Sequence, residues 1–325
     1  MAEQIADLAK TPAHLRGGVV AIGNFDGVHR GHQSVLALAL EIAAKEGLKA
    51  HILTFEPHPR TVFKPQAPVF RLTPPALKAN IAGLMGFSAV FEQRFSRGFA
   101  ASSADKFIDH ILVRDLRVAH VVTGFNFHFG NGREGDTKML AKTGSDKGFG
   151  VTEVAAMNDE GGETISSSRI RKMLSTGDVA HAAGLLGYRY SVTAEIVHGK
   201  KLGRTLGFPT ANMVLPPEAE LMPGIYAVRL RRGDGTLHDG VASFGRRPTV
   251  DAADAPLLLE TYVFDAEPDL YGETCTVSLF GFLRAESKFD GLESLTRQMK
   301  QDEAEARALL TGVTPLSDLD RQIAF

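Results

Sequence analysis

The sequence has one cysteine, no long apolar run and almost no net charge, and each shortage excludes a class of protein. Because Cys275 is the single cysteine among 325 residues, an internal disulfide framework is excluded, which fits a reducing compartment. No stretch approaches 18 apolar residues, so no membrane-spanning helix is predicted. Glu3 and Asp7 interrupt the first residues, so we expect no secretion signal. A cytoplasmic protein is therefore expected.

The charge balance also limits the partners. A formal net charge of −2, with no long basic run, gives no reason to expect binding to nucleic acid or to an anionic membrane. With 44% hydrophobic and 23% charged residues, the composition is that of a globular protein long enough for two domains. The sequence is compatible with a homo-oligomer and does not fix the oligomeric state.

The first half alternates short apolar strands with helical patterns. Strands are predicted near 19–22, 49–55, 88–91 and 118–123, with helices near 34–46, 75–84 and 103–115. This alternation predicts a right-handed, mostly parallel sheet of the Rossmann-like α/β type. Two further helices, near 168–175 and 178–186, complete a first domain that we place at residues 1–186.

The run from Gly23 to His32, GNFDGVHRGH, joins the first predicted strand to the first helix. A helix start offers N–H groups and partial positive charge to an anion, and glycines allow close approach to the backbone. His29 and His32 would lie beside such an anion, which favours phosphate binding. The alternative is that both histidines are ordinary surface residues of a strand-turn-helix connection.

This run resembles the His-x-Gly-His motif of the nucleotidylyltransferase superfamily and, over its full length, the bacterial bifunctional riboflavin kinase/FAD synthetases. His29, Gly31 and His32 match that motif position by position. The resemblance implies a nucleotidylyltransferase domain, with His29 and His32 as catalytic residues and Gly23, Phe25, Asp26 and Gly31 at the ATP phosphates.

Two later segments resemble nucleotide-binding elements of the same family. In GFNFHFG, residues 124–130, the resemblance assigns Asn126 to nucleotide binding, although the aromatic residues could simply cover a core edge. The stretch 130–135 formally matches Gly-x-Gly-x-x-Gly, but it lies about a hundred residues after the first strand, so we interpret it as a loop.

The stretch TISSSRIR, residues 164–171, combines three hydroxyls with two arginines at a predicted helix start. One serine would act as an ordinary N-cap, but the set is a richer anion site than a cap requires. By resemblance to the second nucleotide-binding motif, Ser166, Ser167, Ser168 and Arg171 would bind ATP, with Arg169 a less certain contact.

The second half changes character, with β-branched residues alternating with polar ones between glycine-rich turns. Strands near 190–198, 225–231, 239–244, 257–264 and 274–283 predict a mostly antiparallel β-barrel. A closing helix near 292–310, with apolar residues at 292, 295, 299 and 306, is predicted to pack on the barrel. We place this second domain, a riboflavin kinase domain by resemblance, at residues 187–325.

The run GRTLGFPTAN, residues 203–212, resembles the riboflavin kinase motif built on Pro-Thr-Ala-Asn. A hydroxyl and an amide oxygen two residues apart on an extended segment share one face, which suits Mg²⁺. We therefore predict Thr210 and Asn212 as metal ligands, and Gly203, Arg204, Gly207, Thr210 and Asn212 as the ATP site. The alternative is a turn with locally bonded Thr and Asn. No Gly-x-x-x-x-Gly-Lys-Ser/Thr motif is present, so this is not a P-loop kinase.

Glu260 lies in an apolar strand pattern, where a carboxylate must be paired, solvated or functional. Its position matches the catalytic glutamate of the riboflavin kinases, although Tyr262 stands where that family often has histidine. The resemblance implies that Glu260 orients riboflavin for phosphorylation to FMN, and that the first domain joins FMN to AMP from a second ATP. ATP, Mg²⁺ and flavins are the expected ligands. A class I aminoacyl-tRNA synthetase and a non-catalytic flavin-binding module are the alternatives.

Overall fold

The structure, a computed structural model, describes residues 1–198, 207–246, 256–266 and 268–325. The chain divides into two compact units, Met1–Ser167 and Ser168–Phe325. The domain boundary expected between residues 186 and 187 stays a prediction. Among the described residues, no helix is both long and apolar enough to cross a membrane.

The first unit is built on a six-stranded parallel sheet with the strand order β1-β4-β3-β2-β5-β6. Its strands are β1 Glu3–Ile5, β2 Val19–Ile22, β3 Ala50–Glu56, β4 Ala89–Arg94, β5 His120–Gly124 and β6 Gly150–Val154. From β2 onward the order is that of a Rossmann fold, in which the second and third strands extend to one side of the first and the fourth and fifth to the other. Ligands of such sheets bind at the carboxyl ends of the strands, where the order reverses. Here that point is the end of β2, which leads directly into the Gly23–His32 run.

Helices connect these strands. They are α1 Arg30–Glu46, α2 Pro59–Phe63, α3 Pro75–Met85, α4 Arg97–Ala100, α5 Ala104–Phe107 and α6 Thr137–Lys147. Short 3₁₀ turns occupy Leu8–Lys10, Ala13–Leu15 and Asn131–Arg133. The helix expected at 103–115 is found as α5 followed by a π-helical segment, Ile108–Asp115. The α1 helix packs on β2, β3 and β5, so its first turn is fixed beside the end of β2.

The second unit is built on a six-stranded antiparallel sheet in the order β7-β12-β9-β10-β11-β8. Its strands are β7 Ser191–Glu195, β8 Thr210–Leu215, β9 Gly224–Arg231, β10 Leu237–Arg246, β11 Leu257–Val263 and β12 Thr274–Arg284. A bridge between Val197, two residues after β7, and Asn212 of β8 brings the two outer strands of that order together, which nearly closes the sheet into the predicted barrel. The turn Gly233-Asp234-Gly235 connects β9 to β10.

The described part of this unit contains four helices. They are α7 Ser167–Leu174, which begins at the unit boundary, α8 Val179–Leu186, α9 Leu292–Thr311 and α10 Asp318–Ala324. The α9 helix packs on β9, β10 and β12, which confirms the predicted barrel-facing helix. Ala306 and Leu310 are buried, but the prediction for Leu292 is wrong because 61% of this residue is exposed. It is the first residue of the helix, one turn before the stripe meets the barrel.

Candidate functional sites

The loop after β2 has an unusual backbone. Phe25 and Val28 adopt φ values of 44° and 34°, in the left-handed region that non-glycine residues rarely occupy, and Gly27 has φ 85°. Gly23 allows the Phe25 ring to approach its backbone, since a Cβ there would lie 3.0 Å from the ring. Strained conformations of this kind persist only where the surroundings hold them, and they cluster at functional sites.

The loop brings the two predicted catalytic histidines together at the start of α1. His29 is the N-cap of the helix, and its Nδ1 accepts a hydrogen bond from the backbone N–H of His32 at 3.3 Å. In the neutral ring this bond leaves the hydrogen of His29 on Nε2, where it is a donor. The two imidazoles stack with centroids 3.6 Å apart, and Phe25 contacts His32 edge-on. Gly31 leaves room for the stack, since a Cβ there would lie 3.3 Å from the His29 ring.

The stack affects protonation. Burial, followed by the charges of His29 and Lys78, holds the pKa of His32 well below its ordinary value. His32 is therefore neutral at pH 7. The Nδ1 atom of His32 is inaccessible and makes no hydrogen bond within the described residues.

Beneath the loop lies a cluster of four charged side chains that the sequence patterns did not reveal. Arg71 makes two hydrogen bonds to the Glu56 carboxylate, at 2.6 and 2.7 Å, and one of 3.4 Å to Asp26. Lys78 Nζ donates to Glu56 at 3.2 Å. Burial would raise the pKa of Glu56, but the hydrogen bonds from Arg71 and the charge of Lys78 outweigh it and hold that pKa below its usual value. Asp26, predicted to bind ATP, also accepts from the backbone N–H of Thr73 at 3.1 Å.

The serine run reaches the same loop from the other direction. Ser167 Oγ donates to the carbonyl of Asp26 at 2.8 Å, and the carbonyl of Ile165 lies 3.8 Å from where a Cβ of Gly31 would stand. Ser166 and Ser167 therefore lie in the same unit as the histidines, with Ser167 in direct contact with the loop. Ser168 and Arg171 belong to the second unit, where Arg171 is buried, and their assignment to the nucleotide site stays a prediction.

Asn126 lies in the turn after β5, next to the order reversal of the sheet, and is exposed. Phe125 beside it is 49% exposed, so it can contact a ligand, while Phe129 is buried in the core. The Gly130–Gly135 stretch is a short turn closed by a bridge between Phe129 and Gly135. Its position supports the interpretation as a loop rather than a dinucleotide-binding element.

In the second unit, the strand register brings the predicted kinase residues together. Asn212 on β8 is paired with Glu260 on β11, and Thr210 with Tyr262. Directly paired residues project to the same face with Cβ atoms about 5 Å apart, and residues two apart share that face. Thr210, Asn212 and Glu260 therefore lie on one face of the barrel sheet. Gly207 lies just before β8 with φ 83°, and Gly203 and Arg204 lie outside the described residues.

The amide of Asn212 is oriented by its own strand. Asn212 is buried, and its Nδ2 donates to the carbonyl of Thr210 at 3.1 Å. This contact uses the donor side of the amide, so the Oδ1 atom is directed away from the Thr210 carbonyl. The arrangement suits an oxygen ligand to a hard cation.

Sequence patterns also missed a second carboxylate on this face. A Cβ on Gly245 would lie within 3.2 Å of all three Glu286 carboxyl atoms, and Gly245 is paired with Leu258, two residues from Glu260. Burial, followed by the charge of Glu260, raises the pKa of the Glu286 carboxyl. A lone glutamate in a loop has no pattern that could have identified it.

Comparison with known proteins assigns both parts of the chain to known families. The FAD synthetase family model matches residues 11–169 and the riboflavin kinase model matches residues 186–310. The bifunctional riboflavin kinase/FMN adenylyltransferase of Escherichia coli strain K12 is 40% identical over 304 residues, which are 93% of this chain and 95% of that protein. The chain belongs to the bifunctional riboflavin kinase/FMN adenylyltransferase family.

Other members of this family show the same extent of similarity. The Pseudomonas fluorescens member is 41% identical over 92% of this chain and 94% of its own length, and the Listeria monocytogenes member is 40% identical over 89% and 91%. A crystal structure described as a macrolide-efflux protein from Streptococcus pneumoniae superposes with a TM-score of 0.81 and 30% identity, over 94% of this chain and 98% of that chain. The family models match in the order that the sequence predicts, with FAD synthetase first and riboflavin kinase second.

Proposed function

We propose that the second unit transfers a phosphoryl group from ATP to riboflavin, giving FMN, and that the first unit transfers AMP from a second ATP to FMN, giving FAD and pyrophosphate. The observation that carries this proposal is the match of the two family models, one to residues 11–169 and one to residues 186–310. The histidine stack belongs to the first unit and the Asn212–Glu260 pair to the second.

In the kinase unit, Glu260 would accept a hydrogen bond from the ribityl 5′-hydroxyl and orient its oxygen toward the γ-phosphorus. A carboxylate is too weak a base to deprotonate an alcohol beforehand. Because the phosphoryl-transfer transition state is loose, alignment and charge neutralisation dominate, and the proton can leave late. The register that fixes Glu260 opposite Asn212 supplies this alignment.

The residues on this face fit Mg²⁺. That ion binds through one or two protein oxygens while the substrate phosphates and water complete its octahedral shell, and Thr210 and Asn212 offer such a pair. Within the described residues no group of three or more His, Cys, Asp or Glu side chains could hold a metal. When bound, Mg²⁺ would neutralise phosphate charge.

In the adenylyltransferase unit, FMN supplies the nucleophile, a phosphate oxygen that attacks the α-phosphorus while pyrophosphate leaves. No covalent enzyme intermediate is required. Donors aimed at developing charge are the main contribution of such a site. The His29 Nε2–H, the neutral His32 ring and the start of α1 lie together for that role. Ser166, Ser167, Ser168, Asn126 and Arg171 are proposed as further contacts to ATP.

The proposal limits the partners to small molecules. The single cysteine and the slightly negative charge support a cytoplasmic location and give no support for nucleic-acid or membrane binding.

The test is product analysis of single variants. Wild-type protein with riboflavin and Mg-ATP is expected to form FMN and then FAD, separated by chromatography. Glu260→Ala should stop FMN formation and still convert added FMN to FAD, because the two sites lie in different units. His29→Ala should let FMN accumulate.

Matched controls are Glu220→Ala in the second unit and His110→Ala in the first, both at exposed positions. Each should behave as wild type. The proposed division of labour fails if Glu260→Ala or His29→Ala abolishes both activities while circular dichroism shows an intact fold.

A further inference from the structure

Lys78 is fully buried, which is unusual for a lysine. It lies on α3, and its ammonium group is one of the four charged groups in the cluster beneath the loop after β2. A buried charge is tolerated only when it is paired and hydrogen-bonded. The hydrogen-bond acceptors around the Lys78 ammonium group therefore indicate which parts of the chain it holds in place.

The three hydrogen-bond donors of an ammonium group are matched by three acceptors. Lys78 Nζ donates to the carbonyl of Asn24 at 2.9 Å, to Thr54 Oγ1 at 3.0 Å and to Glu56 at 3.2 Å. Thr54 in turn donates to the same Asn24 carbonyl at 3.1 Å. Burial, followed by the charge of Arg71, lowers the pKa of Lys78, whereas the charges of Glu56 and Asp26 oppose that shift. The contact with the Glu56 carboxylate favours the charged form.

Asn24 lies two residues after the end of β2, where the chain enters the loop that carries the two histidines. The next residue is Phe25, with its φ of 44°, and four residues farther is His29. Other bonds hold the middle of this loop, among them one of 2.8 Å from the Gly27 N–H to Thr73 Oγ1. The carbonyl of Asn24, near the start of the loop, accepts hydrogen bonds from Lys78 and Thr54.

We propose that Lys78 is a positioning residue for adenylyl transfer: its ammonium group holds the backbone of Asn24 and, through it, the loop that places Phe25 and the histidines. This inference rests on the proposed function of the first unit and extends it. The charge of Lys78 has a second effect. The His32 ring stacks on His29 and contacts Phe25, and the positive charge of Lys78 opposes protonation of this His32 ring.

The test is Lys78→Met, which keeps the length of the side chain and removes its charge and donors. We expect kcat/KM for FMN adenylylation to fall about 100-fold, the effect of displacing reacting groups by about 1 Å. The riboflavin kinase activity of the same chain is the internal control and should not change. Lys142→Met, at an exposed lysine of α6, is the matched control and should leave both activities unchanged.

The histidine titration is the second readout, because the positive charge of Lys78 opposes protonation of the His32 ring. In histidine-labelled protein, the NMR signal that His32→Gln removes reports His32. With Lys78→Met this signal should titrate at higher pH than in wild type.

Adenylylation within twofold of wild type in Lys78→Met would overturn the inference, as would a His32 titration that does not move. If Lys78→Met does not fold, Lys78→Gln decides, since it removes the charge and leaves a shorter, neutral donor in place of the ammonium group. A several-fold loss of adenylylation alone supports the inference, and wild-type adenylylation overturns it. Wild-type protein that forms no FAD from FMN would instead refute the proposed function.

Discussion

A buried histidine away from both sites makes the first unit sensitive to acid. His51 on β3 is 1% exposed, packs against Phe91, and neither of its ring nitrogens has a hydrogen-bond partner within the described residues. Burial, together with the charge of Lys49, lowers the pKa of His51 to about 4; His14 acts in the same direction and Glu3 opposes it. The ring is therefore neutral in the folded protein at pH 7.

The sign and size of the effect follow from linkage. The unfolded chain binds a proton at this histidine near pH 6.5, whereas the folded chain does so only near pH 4, so acid favours unfolding. The full stabilisation is present above pH 6.5 and is lost as the pH falls to about 4. The difference between the pKa values of His51 in the unfolded and folded chain corresponds to about 3.4 kcal/mol of stability in total, of which roughly 2 kcal/mol is lost between pH 7 and pH 5.

The substitution is His51→Leu, and the measurement is urea unfolding followed by circular dichroism at pH 5, 6, 7 and 8. The free energy of unfolding of wild type should fall between pH 7 and pH 5 by roughly 2 kcal/mol more than that of the variant. His110→Leu, at an exposed histidine, should give a pH dependence parallel to wild type. Parallel curves for His51→Leu and wild type would refute the argument.

Two further predictions concern the stability of the second unit. Asp320 is completely buried, forms an ion pair with Arg189 and accepts from its backbone N–H at 2.8 Å, so Asp320→Ala should destabilise this unit by about 3 to 5 kcal/mol in chemical denaturation. Asp318→Ala, at an exposed position of the same helix, should cost less than about 1 kcal/mol, and equal losses would contradict the reasoning. The buried hydroxyl of Thr261 makes no hydrogen bond within the described residues, so Thr261→Val should raise the free energy of unfolding by about 1 kcal/mol. Thr193→Val, which removes a 2.8 Å bond to Thr276 at an exposed position, should give no increase.

Much of the architecture was predictable because its signals are local. Apolar runs of four to seven residues between turns predicted the central strands β2, β3 and β5, and alternation predicted the barrel strands β9 to β12. Strands β1, β6 and β8 were not predicted. The first has three residues and the second, Gly150–Val154, is only partly buried, so neither gives a clear pattern. The third, Thr210–Leu215, begins within the GRTLGFPTAN run, which was described only as an extended segment.

The candidate sites were predictable only in part. The motif residues His29 and His32 are close in sequence, and their proximity needed no tertiary information. Lys78 and Glu286 are single polar residues without a motif, and what places them is the packing of α3 and the course of the chain after β12. Composition and periodicity contain no information on such long-range pairings.

The bridge between Val197 and Asn212 has a practical consequence for experiments on the kinase unit. This bridge is made by main-chain atoms: the N–H of Val197 donates to the carbonyl of Asn212 at 2.9 Å. Replacing the asparagine side chain would therefore remove the proposed cation ligand and retain both main-chain atoms of this hydrogen bond. Loss of kinase activity in a folded Asn212 variant would support the proposed ligand role.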